Sequence, residues 1–181
     1  MRNINELIPS EYEIYKSFAD AIKSSIRVSI PGIIQSFDSV TQTCIIQPAI
    51  REEVTNLDFS KSLENLPLLV DVPIVIPKAG NFALTLPIKK GDECLVVFSD
   101  MCIDGWFSLG GIQNQIERRR HDLSDCFCIL GTYSQPNVIQ NYSTNSAQLR
   151  NLEGTQYIEL KDNEINIIGN LKINGQTYQA P

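Results

Sequence analysis

Apolar positions recur with different spacing along this chain, and each change of spacing marks a change of element. From Ile14 they fall on every fourth residue, at Phe18, Ile22 and Ile26, which lines one face of an α-helix. Ser10 and Glu13 hold the S-x-x-E spacing of a capping box, in which each side chain bonds the other residue's backbone N–H. The pattern predicts a helix over Glu11–Ser24. Its stripe has two uses open to it: packing on its own domain, or docking on a neighbouring subunit.

From Arg27 the pattern becomes that of short strands. "RVSIPGIIQSFD" and "TQTCIIQPAI" are β-branched runs separated by "DSVT", which predicts a hairpin. In "LPLLVDVPIVIP", Val72, Ile74 and Ile76 alternate with Pro73, Val75 and Pro77. Proline donates no ladder hydrogen bond, so this strand is expected at an edge or a bulge. "NFALTLPIKKGDECLVVF" alternates at Phe82, Leu84 and Leu86, turns at "KKGD" and enters a strand over Cys94–Phe98, and "CFCIL" is one more strand. Five or so short strands, with a loop between Ile50 and Leu66, predict a small antiparallel barrel. The stretch "SQPNVIQNYSTNSAQ" is polar, poor in charge and linker-like.

The last segment shortens the units again. Ile158 and Leu160, Ile165 and Ile167, and Leu171 and Ile173 form three apolar pairs separated by "KDNE" and "GN". Units of four to six residues bury too little apolar area to stand alone. They are expected to stack as a β-helix or to interlock with copies of themselves, which makes the chain an oligomer.

Composition narrows the function classes. The chain has 181 residues, 43% hydrophobic and 20% charged, with a net charge of −6. That suits one domain with a core and a smaller appendage. An acidic chain repels phosphate overall, so no nucleic-acid partner is expected. The first residues lack a secretory pattern, and no run is apolar enough to span a bilayer. Synthesis and folding in a bacterial cytoplasm follow as the expectation. Five cysteines (Cys44, Cys94, Cys102, Cys126, Cys128) are an odd number, against a disulfide framework. Four of them sit in or beside apolar runs, where a thiol packs as a small hydrophobe.

Four stretches carry a resemblance. "IPGIIQSFDSVTQTCIIQPAI", "LPLLVDVPIVIP", "FALTLPIKKGDECLVVFSDMCIDGWF" and "RRHDLSDCFCILGTYSQP" occur in order over about Arg27 to Pro136. This region resembles the N-terminal domain of the Gp138-type spike proteins, the membrane-puncturing baseplate spikes of contractile-tailed phages and related tail-like particles. The resemblance implies an oligonucleotide/oligosaccharide-binding (OB) barrel followed by a short trimeric intertwined β-helix. The expected division is a helical segment over 1–26, the barrel over 27–136, a linker over 137–150 and a β-helical shaft over 151–181. An OB barrel does not itself imply nucleic-acid binding.

The richest candidate for chemistry is "ERRRHDLSDC", Glu117 to Cys126, with three arginines and the chain's single histidine. No nucleophile motif accompanies it, so no catalytic residue is assigned. No aromatic residue is interleaved with the arginines to stack a base. Arg119 and Arg120 are expected to pair with Asp122, Asp125 or acids of a neighbouring subunit, fixing the barrel into the assembly. His121, Cys126 and Cys128 have a spacing that could hold a cation, but "CFC" alternates within an apolar strand, which favours packing. Spikes of this broad type carry an H-x-H iron motif near the C-terminal tip. This chain has no such motif, so neither metal nor cofactor is carried over. Trp106 in "DGWFSLGG" is expected to be a core anchor rather than a sugar-stacking surface.

The function expected from these readings is mechanical: the central spike of a contractile injection apparatus, in a phage virion or a tail-like particle. Its expected partners are two further copies, the tube or hub at the barrel end, a separate tip protein at the other end, and the target envelope in passing. The alternative is an OB-type adaptor that joins hub to tip without puncturing anything. A glycan- or nucleic-acid-binding barrel is the remaining class.

Overall fold

The computed structural model describes residues 10–178. The nine residues ahead of Ser10, within the expected helical segment, and the last three of the expected shaft lie outside the described residues. Helix α1 spans Glu11–Ser25, one residue beyond the predicted end, and its capping box is formed. Glu13 N–H donates to Ser10 Oγ at 3.3 Å, and Ser10 N–H donates to Glu13 Oε2 at 2.8 Å. No residue of α1 is buried. Its apolar stripe therefore stays exposed among the described residues.

The chain divides between Thr132 and Tyr133 into two compact units. The first contains β1 (Ser29–Asp38), β2 (Thr43–Pro48), β3 (Arg51–Thr55), β4 (Lys61–Asn65), β5 (Leu69–Val75), β6 (Lys78–Ala79), β7 (Phe82–Ala83) and β8 (Glu93–Phe98), then α2 (Asp104–Leu109) and β9 (Cys126–Leu130). Five of these strands close into a barrel in the order β1-β2-β5-β9-β8. Counting barrel strands along the chain, the order is first, second, third, fifth, fourth, with the fifth returning between the third and fourth. That is the five-stranded Greek-key arrangement of an OB barrel.

Inward-pointing residues fill the barrel: Ile34, Ile46, Val72 and Val96 are enclosed together with Cys44, Cys94, Cys126 and Cys128. Fully burying an aliphatic side chain stabilises by about 1.5–3 kcal/mol, so these positions hold the unit together. Gly32 belongs to the same packing. A Cβ there would stand 2.5 Å from Ile46 Cγ2 and 3.1 Å from Val96 Cγ2, and only glycine lets β1 approach so closely.

Several expectations need correction. The barrel is not wholly antiparallel: β5 and β9 pair in parallel through Ile74↔Cys128 and Val75↔Ile129. With five strands, alternating directions cannot close the circle, so one neighbouring pair must run the same way. Pro73 lies in an interior strand rather than at an edge, and a bulge accommodates the strand. Cys44 pairs with Val72 and Ile46 with Leu69, leaving one residue on β2 opposite two on β5, with Asp71 at φ +54°. The segment read as a loop between Ile50 and Leu66 holds the hairpin β3–β4. Charged residues on both of its faces conceal the strand alternation. Conversely, Phe82, Leu84 and Leu86 alternate like a strand, yet strand structure there ends at Ala83 and all three side chains are exposed.

The second unit holds β10 (Ala147–Arg150), β11 (Tyr157–Lys161) and β12 (Glu164–Ile168) as one antiparallel sheet, then β13 (Lys172–Ile173) paired with β14 (Gln176–Thr177). The stretch read as a linker thus contributes a strand, β10. Register places Leu149 beside Ile158, Ile158 beside Ile167, and Leu160 beside Ile165, all on one face. That face is exposed throughout.

Candidate functional site

The loop between β8 and β9 carries the residues that looked most chemical in the sequence. Asp125, immediately before β9, organises it. Its side chain is fully buried. Its Oδ1 accepts from Ile103 N–H at 3.0 Å, and its carbonyl accepts from Ser99 N–H at 2.7 Å. A buried carboxylate requires a cation or donors on every lone pair, and Arg119 supplies the cation. Arg119 Nε donates to Asp125 Oδ2 at 3.0 Å. One terminal nitrogen, Nη2, reaches Asp104 Oδ2 at 2.7 Å, Cys102 Sγ at 3.1 Å and Asp125 Oδ1 at 3.3 Å. The other, Nη1, donates to Glu117 at 2.9 Å. The hydrogen bonds to Asp125 and Asp104 push the arginine further up from an already high pKa, so it stays charged.

Cys102, Asp104 and Asp125 form a set with metal-ligand character, their donor atoms all within 4.8 Å of one another. The guanidinium nitrogen bonded to all three occupies the place a metal ion would take. The arrangement ties the start of α2, the β8 exit and the β9 entry to a single side chain.

The other predicted residues are dispersed. Arg120 pairs with Asp100 at 2.8 Å, and both are well exposed. Neither arginine makes the expected direct pair with Asp122. That carboxylate accepts from Ser124 N–H at 2.9 Å, and this bond holds its pKa below the ordinary value. His121 stands at φ +50° with Nδ1 3.0 Å from Arg27 O and Nε2 3.4 Å from Asp100. Cys126 and Cys128 point into the barrel, as the alternation of "CFC" predicted, so His121 does not join them. Burial pushes the Cys126 thiol up to about 12, reinforced by Asp125. Thiol hydrogen bonds to Cys44 and Cys94, together with burial, drive Cys128 up as well. All five cysteines are free. Trp106 is no core anchor: it is 48% exposed and meets Phe127 edge-on at 5.7 Å on the outside of the barrel.

Sequence reasoning found Arg119 and Asp125 and missed Cys102 and Asp104. These lie 15 or more residues upstream of the arginine, and only the strand pairing of β8 with β9 brings the two stretches together.

Residues 30–131 match the model of the Gp138 N-terminal domain, a domain of phage proteins. No curated protein matches the chain. The match covers more than half of the sequence, and the chain belongs to the Gp138 N-terminal domain family. That membership supports a structural protein of the phage tail or baseplate.

Proposed function

We propose that this phage protein is a homotrimeric central spike of a contractile injection apparatus, carried at the distal end of the tail and pushed through the target envelope when the sheath contracts. The observation that carries this reading is the uncovered apolar face of the β10–β12 sheet. Ala147, Leu149, Ile158, Leu160, Ile165 and Ile167 share it, and all are exposed in the single chain. An all-apolar sheet face in water is unfavourable and marks an interaction surface. Three copies that turn these faces toward a common axis would bury them together and produce a stiff shaft, and stiffness is the property a puncturing device needs.

The barrel's polarity is consistent with this role. Helix α1 enters β1 at one end, and β9, running parallel to β5, delivers the chain to the other. The end bearing α1 is then the one that meets the tube or hub. Light scattering of the purified protein should give about three times 20.3 kDa, and a stable monomer would overturn the trimer. Imaging of the particle with this protein labelled should place it at the central distal tip. A label buried above another protein would make it an adaptor instead.

A further inference from the structure

The barrel unit carries two projections of which its own core uses only Ile88, at the base of the second. The first is the β3–β4 hairpin, here the arm. It forms a sheet of two strands, so each strand has an unpaired outer edge, and neither strand contains a buried residue. A two-stranded hairpin alone is marginal in water. Its tip is nonetheless well made. Asn56 N–H bonds Ser60 O at 2.8 Å, and Asp58 Oδ1 accepts from Ser60 N–H and Oγ. This turn holds Phe59 at φ +64° and leaves Leu57 and Phe59 projecting into solvent. The second projection is the tongue, residues 76–92. Its apolar alternation at Phe82, Leu84 and Leu86 is that of a strand. Its ladder-like bonding ends with Leu84 N–H to Pro77 O at 2.9 Å, and Thr85–Ile88 has no sheet partner among the described residues.

The charges of the two are complementary. The arm, 51–65, carries four acids against two bases, and the tongue carries Lys78, Lys89 and Lys90 against Asp92. Glu52 and Glu64 lie directly opposite one another on the arm. Like charges in that position are destabilising, and Arg27 reaches only Glu52, at 3.6 Å. Lys89 and Lys90 are held outward by a turn in which Asp92 caps Lys89 N–H at 2.8 Å and Gly91 bonds β1. Arm and tongue leave opposite ends of β5, about 20 Å apart for a seven-residue strand, so the two do not meet within one barrel.

We propose that the arm of one copy adds its free strand edge to the Phe82–Ile88 segment of the next, seating Leu57 and Phe59 on the tongue's apolar residues and Glu52 and Glu64 against Lys89 and Lys90. This is strand addition between copies. It is a head-to-tail contact, which closes into a ring when the rotation between copies allows it. The number of copies rests on the trimer reading, while the contact itself does not involve the tail.

Hydrogen exchange on the assembled full-length protein tests it. Amides of Thr85, Leu86 and Ile88 should exchange at least tenfold more slowly than in protein diluted until it dissociates. The paired changes Glu52→Lys with Glu64→Lys, or Lys89→Glu with Lys90→Glu, should each abolish that protection. All four changes in one chain should restore it, which also shows that the reversed side chains do not simply unfold the protein. A trimer whose Thr85–Ile88 amides exchange freely, or stay protected in both double variants, overturns the contact and leaves the trimer standing. A chain that is monomeric at every concentration overturns both.

Discussion

In the barrel, Ile34, Ile46 and Val96 face inward and are enclosed; in the tail sheet, Leu149, Ile158 and Ile165 face solvent, and the buried side chain is the carboxylate of Glu159. Both regions are built from short strands with period-two patterning, yet opposite kinds of face are hidden. The barrel closes on itself, so its inner face has a partner in every direction. Among the described residues of its unit, the tail sheet has three strands and no second layer. Its polar face is organised from within the chain. Ser146 Oγ, Gln148 Nε2 and Asn166 Nδ2 donate to Glu159 at 2.6, 2.8 and 3.2 Å, and Lys161 stands 3.3 Å away. The difference teaches that the barrel encloses its own apolar face, whereas the tail sheet, among the described residues, leaves its apolar face uncovered. Its polar face is already in order, which leaves the apolar face as the one to be covered.

This contrast can be broken in four ways. The largest effect is expected from Ile158→Asp combined with Ile165→Asp. A charge on the apolar face should abolish association through the tail, while barrel unfolding shifts by less than about 0.5 kcal/mol, as for a surface change. Wild-type oligomers from this variant would mean that the face is not an interface.

Next comes Arg119→Ala, which acts on the barrel alone. It strands the buried Asp125 carboxylate, and breaking a buried pair on one side costs about 3–5 kcal/mol. The lower end applies because the guanidinium is partly open to water. Arg119→Lys should recover only part of the loss, since an ammonium lacks the fork that reaches Asp125, Asp104 and Glu117 together. Denaturant unfolding measures both, and a loss below about 1 kcal/mol would show the clamp to be ornamental to stability.

Acid should loosen the tail. The donors from Ser146, Gln148 and Asn166 lower Glu159 from 4.5 to about 2. A depressed carboxyl contributes stability above its unfolded value and loses it as pH falls toward its folded one. The tail's polar face should therefore loosen between pH 4.5 and 2, seen as accelerated exchange of the Gln148 and Asn166 side-chain amides. Unchanged exchange across that range would rule out this role for Glu159.

The smallest effect belongs to Arg120→Ala. Its pair with Asp100 is exposed at both ends, so the cost should stay under about 1 kcal/mol and vanish in high salt. A larger loss would mean that Arg120 is covered in the assembly.

The helix, the hairpin of β1 with β2, the strands at "ECLVVF" and "CFCIL" and the three short tail units were legible in the sequence, because each is a local pattern of apolar spacing and turn residues. The capping box predicted α1's start at the residue. The clamp was half legible: a run of arginines beside aspartates announces ion pairs, but says nothing of which partner is buried. The arm escaped because its strands carry charges on both faces, and period-two alternation shows only where one face meets a core. The tongue misled for the converse reason, since its alternation is real but its strand pairing stops at Ala83.

The sequence by itself determined where α1 and the barrel strands form, which cysteines pack as hydrophobes and which family the barrel resembles, since these follow from neighbours within a few residues. Tertiary structure alone decided that one barrel pair runs parallel, because closing five strands forces it. It alone decided that Arg119 gathers Cys102, Asp104 and Asp125, because the pairing of β8 with β9 brings distant stretches together. And it alone decided which apolar residues stay uncovered, because a side chain's exposure depends on what the rest of the chain can reach.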